Sequence, residues 1–182
     1  MNQFEASTIL WIQENLRGVM DGFWIFITSL GDGGYLWIAL GIILLFFKKT
    51  RPIGFTVLVS LLFNLIITNL TLKDLIGRPR PFITNEAIQP LVGGVNHYTS
   101  FPSGHTSGSF SAMFAVYRWV PKKIGVPALI LAGLIAISRL YVGVHYPTDL
   151  LGGFVIGFIC SVWAYHIVQI VCKKIGEKKA NG

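Results

Sequence analysis

Lys73 is followed after six residues by Arg80-Pro81, and Pro102-Ser103-Gly104-His105 comes further along the chain. Ser138-Arg139 is followed after five residues by His145, and after three more by Asp149. These types and spacings suit phosphoryl chemistry. Ser103 and Gly104 stand at the expected start of a helix, where backbone N–H groups and the helix dipole hold an anion. Lys73, Arg80 and Arg139 would surround that anion with positive charge and stabilise its equatorial oxygens during transfer. One imidazole can attack phosphorus in line while the other protonates the departing oxygen. Asp149, the acidic residue close in sequence to a histidine, can fix the tautomer of the attacking ring and support the charge that develops on it.

The elements that carry these residues must be membrane helices. Of 182 residues 53% are hydrophobic and only 13% charged, against roughly 25% charged in a soluble domain. The composition cannot supply a polar shell, so apolar surface faces lipid. The apolar segments Ile53 to Leu72, Ser107 to Val120, Val126 to Tyr141 and Leu150 to Cys172 suit spans, as does Gly33 to Phe47 if it extends back through Leu30. Ile9, Ile12, Leu16, Val19, Met20 and Phe23 recur at helical spacing with Glu14, Arg17 and Asp21 opposite, predicting an amphipathic helix that lies in the interface. The expectation is an all-α integral membrane protein with five transmembrane helices plus this N-terminal amphipathic helix, six spans being the alternative. The domain reading is an interfacial helix over residues 1–30, a catalytic bundle over 31–174 and a cytoplasmic tail over 175–182.

The net charge of +7 is distributed as membrane topology and not as a nucleic-acid face. Lys48, Lys49 and Arg51, then Arg118, Lys122 and Lys123, then Lys173, Lys174, Lys178 and Lys179 flank apolar runs and belong on the cytoplasmic side. The loop from Lys73 to Pro102 and the connection around His145 then share the outer side. Glu5 and Glu14 stand where a signal peptide would be basic and apolar, so the N-terminus reads as part of the mature protein. Cys160 and Cys172 lie about 18 Å apart along one helix and cannot pair; they read as small hydrophobes.

The three motifs together resemble the type 2 phosphatidic acid phosphatase (PAP2) family, which shares its site with vanadium haloperoxidases. The match runs without departure through Lys73, Arg80 and Pro81, Pro102 to His105, and Ser138, Arg139, His145 and Asp149. By motif it covers residues 73–149, and by helix pattern about 30–172. The last motif alone would arise by accident in about one chain in a thousand of this length. The resemblance implies a membrane lipid phosphate phosphatase. His145 is then the nucleophile that becomes phosphorylated and Asp149 orients it. His105 is the acid for the leaving group and later the base for water. Lys73, Arg80, Ser103, Gly104 and Arg139 bind phosphate. No cofactor is implied, and no Cys- or Glu-containing ligand spacing points to zinc.

Plainer readings stand beside these. A lone membrane histidine is most often an interfacial or structural group, and basic residues can anchor lipid headgroups. His97 and His166 are read as incidental. Arg78 either joins the phosphate pocket or faces solvent. The loop between Phe82 and Phe101, with Ile83, Ile88, Leu91, Val92 and Tyr98, is either an apolar cover over the entrance or an ordinary connection. The expected setting is the cytoplasmic membrane, multi-pass, with the site on the extracytoplasmic face. The expected partner is a membrane lipid phosphate, with phosphatidylglycerophosphate, phosphatidate and undecaprenyl diphosphate unranked. A lipid phosphotransferase and a non-catalytic lipid-binding or transport protein are the alternatives.

Overall fold

The computed structural model describes residues 3–93 and 98–180, the last three by backbone alone, and His97 lies outside them. The chain is helical: α1 (Gln3–Asn15), α2 (Asp21–Ser29), α3 (Tyr35–Phe46), α4 (Arg51–Asn64), α5 (Lys73–Ile76), α6 (Pro81–Thr84), α7 (Gly104–Tyr117), α8 (Lys122–Tyr141) and α9 (Pro147–Ala180). A 3₁₀ turn (Asp32–Gly34) joins α2 to α3, and a π-helical stretch (Leu65–Leu72) joins α4 to α5. Among the described residues there is no strand, only an isolated bridge between Pro79 and Thr99.

Among the described residues, four segments are long and apolar enough to cross a membrane: Asp21–Phe46, Arg51–Ile76, Lys122–Tyr141 and Pro147–Glu177. The third span expected from sequence, α7, has only 14 residues. It runs up the middle of the bundle, with Thr106, Ser107, Gly108, Ser109, Ser111, Ala112, Met113 and Ala115 buried. The Ser107 and Ser109 hydroxyls find side-chain partners there, whereas Ser111 Oγ has none among the described residues. Trp37 Nε1 donates to Ser109 Oγ at 3.1 Å, Ser60 Oγ donates to the Ser111 carbonyl at 3.2 Å, and Thr68 Oγ1 lies 3.2 Å from Ser107 Oγ.

Between membrane helices lipid tails compete equally for apolar side chains, so close approach of small residues decides packing. The α7–α9 contact shows this. A Cβ on Gly157 would lie 2.7 Å from the Ser107 carbonyl oxygen and 2.9 Å from Ser111 N, and one on Gly153 would lie 2.9 Å from the Ser103 carbonyl oxygen. Backbone atoms cannot move aside. Gly157→Leu is therefore expected to cost about 1–3 kcal/mol or more, read as a lower thermal midpoint of the detergent-solubilised protein; an unchanged midpoint would contradict so tight a contact.

The N-terminal residues depart from the single amphipathic helix read from their periodicity. Gly18 takes φ +117° and its N–H is accepted by Asp21 Oδ1 at 3.0 Å, which breaks the segment into α1 and α2. The Tyr141 hydroxyl holds this corner, 2.8 Å from the Leu16 carbonyl and 2.7 Å from Asp21 Oδ1. The expected apolar face divides with it. Ile9 is buried, whereas Leu16, Val19, Met20 and Phe23 are exposed, and α1 instead turns Glu5 inward. From Asp21 the chain continues through the 3₁₀ turn into α3 as one apolar run.

Candidate active site

The site forms where one end of α7 meets the ends of α4–α5 and α8. Ser103 caps α7, its Oγ accepting from Thr106 N at 3.4 Å and Thr106 Oγ1 at 3.0 Å. Gly104 follows as the first helical residue, and an added Cβ there would lie 3.3 Å from Asn69 Oδ1 and 3.7 Å from Lys73 Nζ. Its bare backbone thus lets the helix terminus and the ammonium group approach the same space.

His145 is held in the tight link between α8 and α9. Gly143 turns the chain at φ +77°, Val144 N donates to the Arg139 carbonyl at 3.2 Å, and Val142 and Val144 are fully buried. The imidazole is only 2% exposed. Arg80 Nη1 lies 3.3 Å from Nε2, and a guanidinium only donates, so Nε2 accepts and the ring proton sits on Nδ1. Nδ1 faces Asp149 Oδ2 at 3.4 Å. Burial first, then the positive charges of Arg139 and Arg80, hold His145 well below the usual imidazole pKa. The ring is therefore neutral, the form a nucleophile needs, and Nε2 carries a lone pair, to which Arg80 bonds in this structure.

A cavity of about 1260 Å³ is lined by Lys73, Arg80, Gly104, His105, Arg139 and His145 together with apolar residues of α2, α3 and α4. Of the phosphate-binding residues expected from sequence, only Ser103 does not line the cavity, its side chain capping α7; Asp149, expected to orient His145, lies against the Nδ1 side of that ring. Lys73, Arg80 and Arg139 are 8%, 4% and 5% exposed, so their charges are barely screened by solvent. Arg139 Nη1 donates to Thr28 Oγ1, while its buried Nε has no hydrogen-bond partner among the described residues. An unsatisfied buried donor costs roughly 1–3 kcal/mol, and an oxyanion would relieve it. Burial also lowers the Arg80 pKa to about 10, which leaves it charged at neutral pH.

Three side chains take places that the sequence did not assign. Asp32 Oδ1 lies 2.8 Å from His105 Nε2, from a Gly31-Asp32-Gly33-Gly34 turn whose Gly33 and Gly34 both have positive φ. Arg78, left open between pocket and solvent, does neither. Its Nη1 donates to Asp149 Oδ1 at 2.7 Å and to Thr148 Oγ1 at 2.6 Å, its Nη2 donates to Glu5 Oε2 at 2.6 Å, and its guanidinium stacks 4.0 Å over the Tyr146 ring. Glu5, in the sequence an argument only against a signal peptide, is marked there by being an acidic residue among apolar ones. In the loop after α6, Leu91 and Val92 do line the cavity, Ile88 is buried against Ala6, Ile9 and Tyr146, and Tyr98 points outward.

A helical membrane bundle that encloses a cationic, two-histidine pocket is the frame of a membrane lipid phosphatase. The chain belongs to the PAP2 superfamily, whose family model matches residues 53–171. It is 30% identical to an undecaprenyl-diphosphatase of Sulfolobus acidocaldarius, over 85% of this chain and 73% of that one. It is 32% identical to phosphatidylglycerophosphatase B of Bacillus subtilis, over 84% of this chain and 75% of that one. The crystal structure of Aquifex aeolicus LpxE superposes with a TM-score of 0.73 at 28% identity, covering 88% of this chain and 94% of that chain. The PAP2-type phosphatidylglycerolphosphate phosphatase of Bacillus subtilis superposes with a TM-score of 0.71 at 26% identity, covering 96% and 89%.

Proposed function

We propose that this protein dephosphorylates a lipid mono- or diphosphate through a phosphohistidine on His145, without a metal ion, at the outer face of the cytoplasmic membrane. The observation that carries this reading is the setting of His145: Nδ1 lies 3.4 Å from Asp149 Oδ2 and Nε2 lies 3.3 Å from Arg80 Nη1, with the ring lining the same cavity as Lys73, Arg80 and Arg139. Nε2 attacks phosphorus, forming a P–N bond as the P–O bond to the lipid breaks. His105 gives its proton to the departing oxygen, and Asp32 fixes the ring that does so. A water molecule then loses a proton to His105 and displaces phosphate from His145. Lys73, Arg80, Arg139 and the first amides of α7 hold the equatorial oxygens throughout.

Residues 31–174 carry this chemistry, and the apolar cavity wall that their Ile38, Leu61 and Leu65 form with Ile25 of α2 suits the chains of an amphiphile. The three basic clusters between and after the helices favour the opposite, cytoplasmic side for the other end. Undecaprenyl diphosphate is the first substrate to test, since a relative named for it matches most of the chain; phosphatidylglycerophosphate and phosphatidate complete the panel.

Protein in detergent is expected to release inorganic phosphate from this panel with EDTA present, and orthovanadate is expected to inhibit as a trigonal-bipyramidal adduct on His145. A strict requirement for a divalent cation, or indifference to vanadate, would overturn the mechanism. A phosphorylated acceptor lipid formed in place of phosphate would make the enzyme a transferase.

A further inference from the structure

Asp149 does not face His145 alone. It is fully buried and divides its two oxygens: Oδ2 accepts from Tyr146 N at 2.8 Å and lies against the imidazole, while Oδ1 is taken by Arg78. A guanidinium bonded to a buried carboxylate cancels its charge at short range, and with it the support that Asp149 gives a ring gaining positive charge. Glu5 reverses this. Its carboxylate takes the other arm of Arg78 at 2.6 Å with its side chain only 6% exposed, and its Oε1 accepts from Thr148 N at 3.2 Å and from Thr148 Oγ1. Burial raises the Glu5 pKa, but the bonds from Thr148 and Arg78 outweigh it and hold the carboxyl below its ordinary range. Two carboxylates around one guanidinium leave the group behind Nδ1 with a net charge of −1, opposite the cations that face Nε2.

Resting on the phosphohistidine reading above, we infer that Glu5 and Arg78 are positioning residues for the nucleophile, acting on His145 through Asp149. The N-terminal helix is then part of the catalytic apparatus, although it lies outside the residues matched by the family model. Its attachment is specific. Besides Glu5, α1 is tied by Gln13, whose Oε1 accepts from Gln89 N at 2.8 Å and whose Nε2 donates to the Ala87 carbonyl at 2.9 Å. Arg17 beyond its end donates to the Tyr141 carbonyl at 3.2 Å. Glu5 thus joins the segment after α5, which supplies Arg78, to the start of α9, which supplies Thr148 and Asp149.

The test compares Glu5→Gln, Arg78→Lys and Asp149→Asn, alone and in pairs, on the full chain in detergent. Glutamine keeps the size and an acceptor for Thr148 but removes the charge. Lysine keeps the charge but cannot span two carboxylates. Each single variant is expected to lower kcat by about 10- to 100-fold, as losses of groups behind a reacting ligand do, with KM changed by less than about threefold. In the Asp149→Asn background, neither Glu5→Gln nor Arg78→Lys should lower kcat further. Wild-type kcat in either single variant would overturn the inference, and so would losses that multiply with that of Asp149→Asn, since α1 would then only support the fold. Should Glu5→Gln not fold, Arg78→Lys decides alone by the same cycle. His145→Ala run in parallel separates the two claims: if it retains activity, the phosphohistidine reading fails, whatever Glu5 does.

Discussion

His145→Ala is expected to lower phosphate release by on the order of 10⁴-fold or more, the scale seen when a covalent nucleophile is removed. Among the described residues that share the cavity, Lys73, Arg80 and Arg139 are assigned to the oxyanion and His105, bonded to Asp32, to proton transfer in this mechanism, which leaves no second nucleophile in it. The same variant should lose the phosphoenzyme that acid-labile, alkali-stable labelling from radioactive substrate would detect in the wild type. Substrate affinity should survive better than turnover, because the cations and the α7 terminus remain. Retention of more than a few per cent of wild-type turnover would remove His145 from the nucleophile's role and leave the pocket as a headgroup-binding site.

His105→Gln is expected to reduce hydrolysis of an alkyl lipid phosphate by about 10²- to 10⁴-fold, the range of general acid–base catalysis. The effect should depend on the leaving group. An aryl phosphate departs without needing a proton, so its first step should be nearly spared. The second step still lacks a base for water, and the variant should show a burst of phenol followed by slow turnover. Equal losses on alkyl and aryl substrates would contradict the acid assignment. The geometry leaves little room for adjustment here: a Cβ on Gly31 would come within 2.6 Å of His105 Cδ2, so the imidazole is confined between that backbone and Asp32.

Much of the site was legible because its residues sit at helix ends with fixed offsets. Asp149 follows His145 by four residues, so the first turn of α9 can return its carboxylate to the ring in the link just before that helix, and the Pro-Ser-Gly-His run marks the capped start of α7. What escaped is what depends on tertiary contact. Glu5 and Asp32 are each far in sequence from the histidine they serve, and nothing local marks either. The split of the N-terminal helix depends on Tyr141, over a hundred residues away, as well as on Gly18. Helical periodicity reported the apolar positions of residues 9–23 correctly, but in a membrane an apolar side chain is equally content against lipid, so the pattern could not say which of them turn inward. Nor could composition separate α7 from a lipid-facing span; its serines and glycines mark a helix surrounded by others.

The brevity of α7 has a further consequence for where the reaction takes place. Fourteen residues rise about 21 Å, whereas the hydrocarbon layer is about 30 Å thick. If the Arg118 end rests at one boundary of that layer, the amides of Gly104 and His105 lie several ångströms short of the other. A headgroup must then sink below the plane where its neighbours float, or the leaflet must dip to meet it. On that placement the enzyme would work at the bottom of a dent in the bilayer, and membranes with shorter acyl chains would make that dent shallower.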